Sequence, residues 1–459
     1  MSDKMDYTRT LASFCAGLTF DMLPEDVVQK AKLCILDYIA NIYGSLELEA
    51  VKNLIEYFRA HNAGGAATAL GCGFKTHLHH AAFINGVTGE AIEAQDGYRF
   101  GGNHPGVAVI PAALGTAEER KAGGKSVIEA VVAGYEAANR PAAAMHPWHT
   151  LSGFLPTGTC GAFGAAAAAA KISRYNETQM VNAISNAGYL LPLSMAEHLM
   201  GGFTIKIVQG GQAASAGILA AGLAGAGLTG TPQVLEGSKL NGGFTKITSA
   251  AAPKLEKLID GLGETFSITD VYFKPYTACR HTHGAAQAVL ELSNEEKFSL
   301  NDIEAIQVHT YGIAELAVGK GVKSHDSFVS AQFSIPYGVA ACLTDGALGP
   351  LQLTEKRMRD ETLIRLSECV TVSTDDALNK LYPEKTSTRV EITLSGDRKL
   401  TKQIDIPKGD PRDPMTETDI IKKLKLYAGK RDMARTRKVI ELVLDLENVG
   451  DVGELAKLI

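Results

Sequence analysis

No two cysteines in this chain stand close enough to clip a metal or form a redox pair. The seven, at positions 15, 34, 72, 160, 279, 342 and 369, are odd in number and show no C-x-x-C spacing across 459 residues. That pattern excludes a disulfide framework and a cysteine zinc site, leaving most of them as buried, reduced thiols. Basic residues are also in short supply: 45 Lys and Arg face 51 Asp and Glu, a formal charge of -6. Nucleic acid is bound through clustered Lys and Arg, so it is not an expected partner. Strongly apolar runs are absent too. The long uncharged stretches 150–170 and 207–235 consist largely of Gly, Ala, Ser, Thr and Gln. A membrane span needs about 20 predominantly apolar residues, so no membrane is expected, and buried helices packed through small side chains are. The opening MSDKMDYTRT carries acidic residues and no apolar core of a leader. Neither signal nor transit peptide is expected, and the cytoplasm is the default.

What is present is enough hydrophobic residue, 45% of the chain, for a large core and two domains. The first half reads as helical. From Pro24 to Tyr43, Val28, Ala31, Ile35, Ile39 and Ile42 recur at helical spacing behind a proline suited to a first turn. Further helices are expected over 54–61, 127–138, 160–171, 177–187 and 213–226. After about Phe266 the pattern changes: Ile306, Val308 and Thr310 alternate, as do Val390, Ile392 and Leu394, with a hairpin turn at Gly396–Asp397 before Leu400 to Ile404. With helices over 330–343 and 355–369 between those strands, residues 266–405 form a mixed α+β unit. Past Pro407 the chain turns helical again, over 417–427 and 433–446, in a segment expected to return to the first domain. The expected division is 1–265, 266–405 and 406–459.

One short loop, KPYTACRHTH from Lys274 to His283, gathers a lysine, a tyrosine, a cysteine, an arginine and two histidines. It follows an extended run (Ile268, Val271, Tyr272, Phe273) that Pro275 stops, a strand end where catalytic groups are favoured. Such density suits chemistry on a small anion. A second constellation runs through Glu90, Glu93 and Asp96 to His104; Glu93 and Asp96, at i,i+3, are expected on one helical face, where repulsion and burial would raise one carboxyl. Lys206, between Ile205 and Ile207, is either a snorkelling side chain or one placed in a pocket.

Other signals are decoys. Gly225, Gly227 and Gly230 spell a dinucleotide fingerprint, but the residues before it read as helix instead of strand, which argues against a nicotinamide enzyme. His77, His79 and His80 resemble a metal cluster without partners at ligand spacing, so no metal is expected. His146 and His149 read as a packed turn around Trp148.

Together these segments resemble the MmgE/PrpD family over nearly the whole chain. The carriers are the NG-x3-E-x2-E-x2-D run ending at Asp96, HPG at His104, GFLPTGTCG, Lys206 with QGGQAASAG, KPYTACRHTHGAA, AQFSIPYGVA and PKGDPRDPMT. The resemblance implies a fold that is mainly α with an α+β part: a large all-helical domain from both chain ends and a smaller inserted α/β lid. It also implies a homodimer, no organic cofactor, and a small di- or tricarboxylate substrate. Asp96, His104, Lys206, Lys274 and Cys279 match catalytic positions; Glu93, Thr157, Arg280, His283 and Tyr337 match substrate pocket positions. Two departures bear on chemistry, for Leu155 and Glu90 each stand where the family carries a histidine.

The expected enzyme is a cofactor-independent lyase that abstracts a proton α to a carboxylate, with elimination of the 2-methylcitrate dehydratase kind first. Epimerisation of a dicarboxylate and decarboxylation of the cis-aconitate kind are alternatives, and an inactive anion-binding scaffold is the reading from another class. Lys206, Lys274 and Arg280 would bind carboxylates and stabilise charge, with His104 and Asp96 as the acid/base pair.

Overall fold

The computed structural model describes residues 6–240, 242–323 and 325–459. It is mainly helical with one small mixed sheet. At the centre of the helical part lies the alanine-rich helix Pro156–Ile172, with Pro156 in its first turn and every residue but Lys171 buried. The helices Gly106–Arg120, Gly124–Met145, Glu177–Tyr189 and Gln209–Gly225 pack around it. Small side chains are what let so many helices share one neighbour. The stretch Thr204–Gly225, long and apolar enough by composition to cross a membrane, is two-thirds buried inside this bundle.

The glycines of the 209–225 segment have a steric role. A Cβ on Gly211 would lie 2.3 Å from the Phe83 carbonyl oxygen, and one on Gly86 would lie 2.5 Å from the Gly211 Cα. Helices Leu78–Glu90 and Gln209–Gly225 therefore touch backbone to backbone. That contact brings the end of the first, at Glu90, against the start of the second.

The helix Glu25–Ser45 begins behind Pro24 with two acids in its first turn, the sign that suits a helix N-terminus. Its buried face receives the helices Glu417–Ala428 and Met433–Leu444. In the sequence between these helices is a four-stranded sheet in the order Val370–Thr374, Ile303–Thr310, Thr388–Leu394, Arg398–Ile404, its first pair parallel and the rest antiparallel. Thr388–Leu394 alternates buried and half-buried, as its sequence pattern predicts. Gly396 and Asp397, at φ 81° and 61°, make the hairpin turn. Helices His283–Glu295 and Ile335–Asp345 pack together beside the sheet.

Differences from expectation have local causes. The helix expected over 330–343 is two, Phe328–Gln332 and Ile335–Asp345, because Ser334 caps the second by accepting the Tyr337 N–H and Pro336 opens it. The helix expected over 355–369 breaks likewise at Asp360, which caps Glu361–Glu368. Helices Tyr7–Gly17, Leu78–Glu90, Gly106–Arg120 and His283–Glu295 were not expected. Leu78–Glu90 and Gly106–Arg120 are buried nearly all round, so no amphipathic period marks them. Finally, Gly97–Tyr98 pairs antiparallel with Val271–Tyr272, a two-residue ladder that ties the Glu90–His104 segment to the KPYTACRHTH loop.

Candidate active site

The loop 91–97, just past the Leu78–Glu90 helix, is held by its carbonyls from four directions. Gln332 Nε2 donates to the Ala91 carbonyl at 2.8 Å, Lys274 Nζ to that of Glu93 at 3.2 Å, Lys423 Nζ to that of Ala94 at 2.7 Å, and His104 Nδ1 to that of Asp96 at 2.6 Å. Each donor comes from a different part of the chain. Glu93 takes a left-handed φ of 54°, uncommon for a residue with a side chain and maintained only where surroundings over-determine it.

That turn aims the Glu93 carboxylate between two lysines. Lys274 Nζ meets Oε1 at 2.7 Å, and Lys206 Nζ meets Oε2 and also Glu90 Oε1 at 3.1 Å. All four side chains are at most 2% exposed. Burial alone would raise the Glu93 carboxyl, but Lys206 and Lys274 outweigh it and hold the group well below the usual carboxylate range. Burial would likewise lower Lys206, yet Glu93 and Glu90 raise it above an ordinary lysine. Lys206 is thus a fixed cation, not a base. Glu90 goes the other way, raised by burial against the pull of Lys206 and Gln209.

His104 stands beside this cluster. Burial and then the Lys274 charge push its imidazole down to about 3, so it is neutral. Because Nδ1 lies on a carbonyl it carries the proton, and Nε2, with no hydrogen-bond partner among the described residues, keeps a lone pair. The Thr157 hydroxyl accepts the His104 backbone N–H at 3.1 Å and so fixes the turn that presents the ring. Cys279 is oriented by its N–H on the Gln332 carbonyl at 2.8 Å. Burial and the Glu93 charge push its thiol up to about 11. It is a thiol, not a thiolate.

Several expected positions lie elsewhere. Glu93 and Asp96 do not share a helical face, because the helix ends at Glu90 and the loop turns them apart. The Asp96 carboxylate accepts the Tyr135 hydroxyl at 2.5 Å and the Gly106 N–H at 3.2 Å, and burial raises it to about 6. Only its backbone carbonyl meets His104, so the two are not an acid/base pair. Arg280 spends its guanidinium on the Lys408 and Pro407 carbonyls, at 2.8 and 2.6 Å, and lies over the Tyr272 ring. His283 is buried, with Nε2 on the Ala278 carbonyl at 3.1 Å, and the Tyr337 hydroxyl is taken by the Gln352 carbonyl. Leu155 precedes the Pro156–Ile172 helix, its N–H on the Ser194 carbonyl at 2.8 Å.

The decoys resolve structurally. The Gly225 fingerprint falls at a helix C-terminus, where a pyrophosphate would meet carbonyls instead of amides. Among the histidines near 80, His79 reaches the Ser215 carbonyl while His80 lies against Phe58, so they diverge.

Sequence reasoning missed Gln332, Gln209 and Lys423. Lys423 had a signal: it lies between Ile420 and Tyr427 on the apolar stripe of its helix, a position where a lysine must have a buried partner. That partner is Asp37, at 2.7 Å.

Residues 9–256 match a model of the MmgE/PrpD N-terminal domain, and residues 276–447 match one of the MmgE/PrpD C-terminal domain. The chain belongs to the MmgE/PrpD family. Among relatives of this MmgE/PrpD protein, cis-aconitate decarboxylase of Aspergillus terreus is 26% identical over 480 residues, 99% of this chain and 96% of that protein. Cis-aconitate decarboxylase of Homo sapiens is 26% identical over 472 residues, 98% of this chain and 94% of its own.

Replacing Lys423 with methionine strands the Asp37 carboxylate without its partner. Loss of one member of a buried pair costs about 3–5 kcal/mol, so Lys423→Met should lower the thermal midpoint by several degrees. Combining it with Asp37→Asn should restore part of the loss in the same melt; no recovery would show that Lys423 acts through the Ala94 carbonyl alone.

Proposed function

We propose that this MmgE/PrpD enzyme is a cofactor-independent lyase that generates a carbanion next to a carboxylate of a small di- or tricarboxylate. The observation that carries this reading is the pair of buried lysines flanking one carboxylate beside a neutral histidine with a free Nε2. A buried cation stabilises the enediolate-like charge that develops when a proton or CO2 leaves, and it does so without reorganising water. His104 is already unprotonated at neutral pH, as a base must be.

Loss of a β-hydroxyl and loss of CO2 pass through related carbanions. The decarboxylase names of the full-length relatives favour decarboxylation as the second reading beside the expected elimination. With Leu155 and Glu90 at two positions where the resemblance leads one to expect histidine, His104 supplies an imidazole beside the two lysines.

The reading extends to the assembly, for which we propose a homodimer. Tyr189, Leu193, Phe203 and Ile205 are 93%, 69%, 61% and 53% exposed and lie in the segment leading directly into Lys206. Several exposed apolar side chains of this size in one segment favour an association surface.

Two outcomes are expected. Lys206→Ala and His104→Ala should each lower turnover about a hundredfold or more, read by proton NMR of product formed from citrate-like, aconitate-like and malate-like acids. Folded variants with full turnover would remove those residues from the mechanism. In sedimentation equilibrium the protein should run as a dimer and Phe203→Asp should shift it toward monomer, whereas a wild-type monomer at micromolar concentration would contradict the assembly.

A further inference from the structure

Glu90 is the acid of the cluster with the weakest claim to its charge. Glu93 faces two lysines; Glu90 shares only Lys206, and shares it with Glu93. With all four groups ionised, the two glutamates cancel the two lysines. A di- or tricarboxylate entering this buried place would therefore add two or three uncompensated negative charges, which costs heavily away from water. On the proposed reading of the site as one for polycarboxylates, something must give up negative charge.

We infer that Glu90 takes up a proton when a polyanion binds at Lys206 and Lys274, which releases Lys206 to face the ligand. The surroundings of Glu90 are built for either protonation state. Its Oε2 accepts the Gly210 N–H at 2.9 Å, and a Cβ on Gly210 would lie 3.0 Å from that oxygen and 2.6 Å from Val107 Cγ2, so only glycine keeps the amide in reach. Its Oε1 accepts from Gln209 Nε2, whose own Oε1 accepts from Ser194 Oγ at 3.2 Å. A half-turn of the Gln209 amide presents its oxygen to a protonated Glu90 and its nitrogen to Ser194. The hydroxyl of Ser194 donates or accepts equally well, so protonation leaves no hydrogen bond unmade.

Helix Gly106–Arg120 brings Val107 to the Glu90 site and carries its titratable groups, Glu118, Glu119 and Arg120, only in its last turn. Lys206 comes from the 204–208 turn and Glu93 from the loop beyond its own helix, with Lys274 and His104 behind Glu93. The Gln209–Gly225 helix carries no titratable side chain at all. Helix Glu25–Ser45 offers Tyr38, bonded to the Asn85 carbonyl, and Asp37, paired with Lys423. Desolvation acts in the same direction, raising the Glu90 carboxyl.

Isothermal titration of the full chain with tricarballylate, a saturated tricarboxylate, tests this at pH 7–9 in HEPES and in Tris, whose ionisation heats differ. The wild type should take up about one proton per site, and its Kd should weaken by up to about tenfold per pH unit, the slope of one linked proton. Glu90→Gln, which keeps the shape and hydrogen bonds of the protonated acid, should bind with about one proton fewer and a nearly flat Kd. Equal heats in both buffers and a flat wild-type Kd would overturn the inference, whether or not the variant folds. Unchanged uptake by Glu90→Gln would place the proton elsewhere and overturn it too. Failure of the wild type to bind tricarballylate would instead overturn the polycarboxylate reading beneath it.

Discussion

The Glu93 carboxylate, bridging Lys206 and Lys274, is the contact on which this molecule converges. Lys206 belongs to the helical part, Lys274 opens the segment that leads to the sheet, and the loop bearing Glu93 is further held by Gln332 and by Lys423 from the C-terminal helices. Three separated stretches of chain thus meet at one acidic side chain. Four buried charges would be costly singly; paired and hydrogen-bonded, they are tolerated and fix one arrangement. The left-handed backbone at Glu93 belongs with that constraint, since a relaxed turn would point the carboxylate away from the lysines.

The same contact explains which side chains are available for chemistry. Lys206 is too well paired to lose its proton, His104 among its neighbouring cations rests as a neutral imidazole, and Cys279 is held as a thiol. Division of labour follows from electrostatics: cations that stabilise charge, and a neutral imidazole, His104, that can accept a proton. Asp96, although its carboxyl is raised to about 6, is turned toward Tyr135 and supports the loop through its backbone.

Much of this was readable in the residues. Lys206 and Lys274 stood out because one is framed by Ile205 and Ile207, which leaves it to snorkel or to enter a pocket, and the other ends an extended run ahead of Pro275 in a loop dense with polar groups. The hairpin at Gly396–Asp397 and the helix behind Pro24 were legible from local turn and capping chemistry. What stayed hidden depended on contacts distant along the chain. Glu93 and Asp96 read as one face because i,i+3 spacing assumes a helix that ends at Glu90. Arg280 and Tyr337 looked like ligand-binding groups until the fold brought the Pro407, Lys408 and Gln352 carbonyls to them. A sequence reveals that a polar group needs a partner more readily than which partner it finds.

The charge state of Lys206 tests this account most directly. In the protein labelled with 15N at lysine side chains, and assigned with a Lys206→Arg variant, the Lys206 Nζ resonance should remain that of an ammonium from pH 6 to pH 10. A resonance that converts to the neutral amine near pH 7 or 8 would make Lys206 a base and contradict the view that Glu93 and Glu90 hold it as a cation.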